Sequence, residues 1–224
     1  MKTVIALLVI FILFLSACTT HLSSSPDCVT LEGIERDNCY LEAIQCNNIN
    51  DVTLKNSCLS DLAGKNKDLT ICDEITDDKV QENCMYQVAV AKNEQKICKQ
   101  IIDPYWKDNC HYQLAINNNN NELCPLIVDV TQQLKCREKI AIATNDSLLC
   151  EFLNTIDKDK CITTIAKSTL KIELCGQLSN DISQDSCRTK IAKLSNNPEL
   201  CSEIKYKQIK QGCLDSFENQ TFTS

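Results

Sequence analysis

Seventeen of the 224 residues are cysteine and only two are histidine. Thiols can attack as nucleophiles, exchange electrons, hold soft metals or close disulfides, and their spacing separates these uses. A redox pair wants an exposed Cys-x-x-Cys with a low-pKa thiolate, and the sequence has none. Zinc ribbons, iron–sulfur clusters and covalent haem need close Cys or Cys/His groupings, which are also missing. His111 directly follows Cys110, a cysteine expected in a disulfide, and His21 lies in a polar stretch near the N-terminus. There is no Gly-x-Ser-x-Gly and no Gly-rich phosphate loop. Asp77-Asp78 and Asp157/Asp159 fall where helix caps belong and read as caps rather than general acids and bases. No catalytic, cofactor-binding or metal-ligating residue is assigned, and the chain is not expected to be an enzyme. Two uses of the sulfur remain: structural disulfides, or a thiol-lined store for Cu(I), which prefers soft ligands.

The elements that must position these sulfurs form a repeat. Apart from Cys18, the cysteines are Cys28, Cys39, Cys46, Cys58, Cys72, Cys84, Cys98, Cys110, Cys124, Cys136, Cys150, Cys161, Cys175, Cys187, Cys201 and Cys213. Every second one from Cys46 advances by 26 residues, once by 25. So regular a step marks a repeat architecture. Each unit reads as two helices. Asp68 can cap a short one carrying Leu69, Ile71, Cys72 and Ile75. Thr76-Asp77-Asp78 breaks it, and a longer helix follows through Val80, Cys84, Val88 and Ala91. Asn93 is expected to cap the next short helix. Asp103-Pro104 and Asn197-Pro198 place proline at a first helical position, where its missing N–H costs nothing. Pro125, just after Cys124, is expected to delay or bend its short helix. Asn117–Asn121 reads as a polar loop, and Tyr40, Tyr86 and Tyr112 as packing at the seams between units. The fold expected is all-α: a solenoid-like array of about eight short helical hairpins with a period of about 26 residues.

Helices this short are marginal alone, so the cysteines are expected to staple them. Two pairing registers are open, within a unit or between neighbouring units. Between-unit pairing strands Cys28 and Cys213 at opposite ends. It also joins Cys39 to Cys46, whose seven-residue separation rises about 10 Å if helical, whereas a disulfide needs Cα atoms within about 7 Å. Within-unit pairing uses all sixteen and is preferred. Two-coordinate copper needs the same facing sulfurs, and the sequence is loosely similar to cysteine-lined bacterial copper-storage bundles, so metal storage stands as the alternative.

The N-terminus carries a separate message. Met1-Lys2 precedes an uncharged apolar stretch from Val4 to Leu15, too short to span a bilayer comfortably but suited to a signal peptide. It ends in Leu15-Ser16-Ala17-Cys18, which resembles the lipobox of prokaryotic lipoproteins. That resemblance implies cleavage before Cys18 and a lipid on its sulfur. The expected organisation is a signal peptide over 1–17, a lipidated tether over 18–27, a cysteine-repeat helical domain over 28–218 and a disordered tail over 219–224. Removing 1–17 leaves 22 basic and 30 acidic residues, a net charge of −8. This acidity argues against nucleic acid as a partner and leaves membrane attachment to the lipid. Export and disulfides agree on an oxidising, extracytoplasmic place. The expected function is a membrane-anchored binding or scaffold module without catalysis, its partner a protein, peptide or glycan.

Overall fold

The computed structural model of the chain describes residues 27–218. The expected signal peptide, Cys18, most of the tether and the tail lie outside them. The described chain is eight successive units, each a short helix followed by a long one. The long helices are α1 (Gly33–Glu42), α2 (Val52–Asn66), α3 (Asp78–Lys92), α4 (Pro104–Asn118), α5 (Val130–Thr144), α6 (Thr155–Thr169), α7 (Asp181–Leu194) and α8 (Lys207–Glu218). The short helices are Cys28–Thr30, Cys46–Asn48, Leu69–Glu74, Gln95–Gln100, Asn121–Leu126, Ser147–Phe152, Ile172–Gln177 and Pro198–Glu203. No strand occurs among the described residues. The protein is an all-α repeat array.

Local chemistry sets each boundary. Asp51, Asp77, Asp103, Asp129, Asn154 and Asn180 cap the long helices α2 to α7, each side chain accepting from a backbone N–H of the first turn. The far end is closed by one left-handed residue per unit: Ile44, Lys67, Asn93, Asn119, Asn145, Leu170 and Asn196. In units 2 to 7 the next residue then donates its N–H back to the carbonyl of an alanine, as Glu94 does to Ala89 and Asn120 to Ala115, both at 2.9 Å. This is the Schellman arrangement, which recovers a carbonyl the helix end would otherwise orphan. Asn93 therefore ends α3 rather than capping the next helix. Asparagine tolerates the left-handed region, whereas the capping position falls to Glu94, whose side chain makes no cap bond. The run Asn117–Asn121 is likewise not a loop. Asn117 and Asn118 finish α4, Asn119 is the left-handed residue, Asn120 caps the next short helix by accepting from Glu122, and Asn121 begins that helix.

The short helices are mostly 3-10 in character. Three residues after each first cysteine an apolar residue turns to extended backbone; in every unit but the fourth its N–H bonds to the cysteine carbonyl, as in Ile75 to Cys72 at 3.2 Å. Pro125 sits inside Asn121–Leu126, which keeps the six-residue length of its counterparts, so the delayed start does not occur. As the fifth of six residues Pro125 forgoes one backbone N–H bond without shortening the helix.

Each unit is closed on itself by one disulfide: Cys28–Cys39, Cys46–Cys58, Cys72–Cys84, Cys98–Cys110, Cys124–Cys136, Cys150–Cys161, Cys175–Cys187 and Cys201–Cys213. Their Cα separations lie between 5.4 and 5.9 Å, inside the normal range. All sixteen sulfurs are buried. Around them pack the apolar residue after the short helix in units 2 to 8 and, in units 2 to 7, the apolar–alanine pair four and five residues past the second cysteine, such as Val88-Ala89 and Ile165-Ala166. Elements touch others of their own unit or of the next one along, which is the solenoid condition.

Candidate functional site

The sulfurs are not a reactive site. Cys110 is bonded to Cys98, so His111 has no free thiol beside it. Among the described residues no group of three or more His, Cys, Asp or Glu is gathered to hold a metal. His111 is buried, and neither ring nitrogen finds a hydrogen-bond partner. Burial pushes its pKa down, against a partly offsetting pull from Asp108.

Two columns on the long helices hold the array together. Counting back from each second cysteine, the third residue is always a side-chain donor: Arg36, Lys55, Gln81, Lys107, Gln133, Lys158, Gln184 and Lys210. Several reach back to the end of their own short helix, as Gln81 does to the Cys72 carbonyl at 3.1 Å and Gln184 to the Leu178 carbonyl at 3.0 Å. The second residue back is an acceptor that reaches forward into the next unit. Asp37 accepts from the Asp51 N–H at 2.8 Å, Asn56 from Thr76 at 3.3 Å and Glu82 from Ile102 at 3.0 Å. Asp108 takes Val128 and Asp129 at 2.9 and 2.8 Å. Asp159 takes the Ser179 N–H at 3.0 Å and its hydroxyl at 2.6 Å. Asp185 takes Lys205 and Tyr206 at 3.0 and 2.8 Å and is paired with Arg188 at 2.9 Å. Each side chain clasps the loop ahead, 14 residues on for Asp37 and twenty or twenty-one for the others, whose N–H groups precede the next long helix.

The clasps carry the main carboxylate shifts. The Asp51 N–H holds the Asp37 carboxyl below its ordinary range. For Asp185 burial pushes upward, but the Tyr206 and Lys205 N–H groups and Arg188 together bring it below. Asp77 is a cap, as its position implies. Asp159 is not, since its partner lies in the next unit. A pattern of Asp, Asn or Glu two before a cysteine, with a donor before it, is the signal that marks this column in the sequence.

One joint lacks a clasp. The acceptor column reads Leu134 in unit 5, and the loop it faces is one residue shorter, since Cys150–Cys161 spans 11 residues where its neighbours span 12. Leu134 packs with the apolar cluster of units 6 and 7. Arg137 lies with its guanidinium 4.1 Å from the centre of the Phe152 ring.

The long helices present an exposed face with open grooves where neighbours meet; the short-helix side is exposed too, with Leu148 and Phe152 open and a groove around Cys46–Asn48. The groove between α2 and α3 is lined by Tyr86, Gln87, Val90, Asp61 and Lys65, and that between α3 and α4 by Val80, Asn83, Tyr105 and Trp106. The Trp106 ring is 5.5 Å from Tyr86 and 5.0 Å from Tyr105. Tyr86 and Tyr112 are half-buried against the core, and Tyr105 is open. Between α6 and α7 the groove encloses about 510 Å3 and is lined by Lys160, Lys167, Lys190, Thr163, Thr164, Ser183 and Ser186. Compared with protein-family models, curated proteins and solved structures, the chain matches none of them.

Proposed function

We propose that the chain is a lipid-anchored extracytoplasmic binding module without catalytic activity. One observation carries this reading. The repeat uses its sulfurs, caps and buried carboxylates to hold units in line, and its long helices present a row of open grooves. Extended faces of this kind serve recognition. Copper storage needs free thiolates, and pairing all sixteen sulfurs leaves none in the described units. The anchor rests on the resemblance of Leu15-Ser16-Ala17-Cys18 to a lipobox, and eight disulfides suit the oxidising side of a membrane.

The test is fractionation of the exported chain. The parent is expected in the membrane fraction with the mass of a lipid on Cys18. Cys18→Ser is expected to carry no lipid mass and, when exported behind a signal that is cut before residue 18 independently of lipid, to be in the soluble fraction with the same melting temperature. A chain of that kind that stays in the membrane fraction, or a parent without the lipid mass, sinks the anchor.

A further inference from the structure

The repeat supplies its own control for surface chemistry. Positions that the fold needs recur in every unit, and the others are free to differ. The residues one before, three after and six after each second cysteine share the open face of a long helix. In α2, α3 and α4 those positions hold no basic residue. In α5, α6 and α7 they hold Lys135, Lys139, Lys160, Lys167, Lys190 and Lys193. The chain as a whole is acidic, with a net charge of −7. Six lysines on one face of three successive helices are therefore not a property of the repeat. Few are neutralised in place: Lys160 pairs with Glu138 at 3.8 Å, and Asp159 in the groove is held by Ser179. Among the described residues Lys167 and Lys190 enter no ion pair.

Packed helices lie about 8–10 Å apart, so the three helices present their lysines as three neighbouring rows. A small anion would engage one row, whereas a linear polyanion engages all three. The hydroxyls of Thr163, Thr164, Ser183 and Ser186 stand between the α6 and α7 rows. The same face continues into the aromatic row of α4 and α3, and the Lys139 ammonium, 6.0 Å from the Tyr112 ring centre, joins the two halves. Flat rings beside the Asn83 amide suit sugar rings, which offer C–H faces and hydroxyl edges. An acidic peptide would meet the lysines equally, but the grooves here are open and give no enclosed apolar pocket to anchor a side chain.

We infer that the long-helix face of units 3 to 7 binds an anionic polysaccharide, with its carboxylates on the lysines of α5 to α7 and its sugar rings on the aromatics of α3 and α4. This rests on the binding-module reading and names the partner class. Trp106 is the one tryptophan in the chain, so its fluorescence reports on the aromatic end. The probe is an oligogalacturonate of about ten sugars, titrated into the purified full chain in neutral detergent. Saturable binding is expected, with a shift in Trp106 emission and a loss of tenfold or more as salt is raised. The triple variant Lys160→Gln, Lys167→Gln, Lys190→Gln is expected to bind at least tenfold more weakly at an unchanged melting temperature. Tyr105→Ala, at a residue 67% exposed, is expected to weaken binding severalfold. Neutral malto-oligosaccharide, polyglutamate and oligothymidylate are the comparison ligands. No binding, an unaffected triple variant, or polyglutamate or oligothymidylate binding as tightly as the sugar acid overturns the inference. Fractionation of Cys18→Ser reads the anchor separately, so the two failures are distinguishable.

Discussion

Asp185 shows what a buried carboxylate does in this fold. It is wholly out of solvent, yet two backbone N–H groups and one guanidinium converge on it. Hydrogen bonds to a charged group contribute about 1.5–3 kcal/mol each and leave costly orphans when broken. His111 is the opposite case, a buried polar ring with nothing to bond. The same column carries Leu59, Met85 and Ile162 in other units, so the position accepts an apolar side chain. His111→Leu is expected to raise stability at neutral pH by about 1–2 kcal/mol, because it removes an unsatisfied buried group. It should also change the pH dependence. The folded histidine has its pKa lowered, so as pH falls through about 6.5 the unfolded chain takes up the proton first and stability drops. Denaturant titration between pH 7.5 and 5 should show that decline in the parent and not in His111→Leu. Asp37 and Asp185, with lowered values, lose their contribution only in more acid solution, as pH falls below the ordinary range near 4.

At the scale of elements, the joint between units 5 and 6 differs from the others in two matched ways. Leu134 replaces the forward-reaching acceptor, and the loop ahead is one residue short. Unit 1, the other with an 11-residue disulfide loop, has no described unit before it to clasp it. Loop length and clasp thus vary together. Leu134→Asp follows the column but is expected to destabilise by about 1–3 kcal/mol, since it introduces a carboxylate without its N–H partners. Adding one residue between Leu153 and Asn154 in the same chain should recover most of the loss, measured by chemical denaturation. If Leu134→Asp alone stabilises, the matched-loop account fails. Much of this was legible beforehand. Cysteine spacing gives the period, Asp77, Asp103-Pro104 and Asn197-Pro198 mark helix starts, and the recurrent alanines mark close contact. The clasps were hidden because their chemistry alternates among Asp, Asn and Glu while the partner is backbone 14 to 21 residues on. Asp159 looked like a cap for that reason, and Asn93 and Asn117–Asn121 looked like caps and loop because asparagine serves both left-handed and capping positions. The grooves depend on how units stack, which no single unit encodes.

For the whole molecule the decisive fact is that pairing follows chain order. Each loop of about a dozen residues is worth about 3 kcal/mol in the chain-entropy picture, and the helices it joins are too short to stand alone. Without reductant no thiol of the described units should react with an alkylating agent; after reduction sixteen should, and the melting temperature should fall by tens of degrees. Adducts formed before reduction, or an unchanged melt, would contradict the staple account. Because partners are neighbours in sequence, each bridge can close as soon as its second cysteine is available, without waiting for distant segments. The same bookkeeping governs load. If tension is applied along the chain, the 10 or 11 residues between bonded cysteines stay shut inside their loops. Only the links between units can lengthen, six with a separation of 14 and the first, Cys39 to Cys46, of 7, or at most about 50 Å at full extension. Pulled across the described units, the protein would give way in short steps, six of them nearly equal, and stop at roughly half the contour of an unbridged chain.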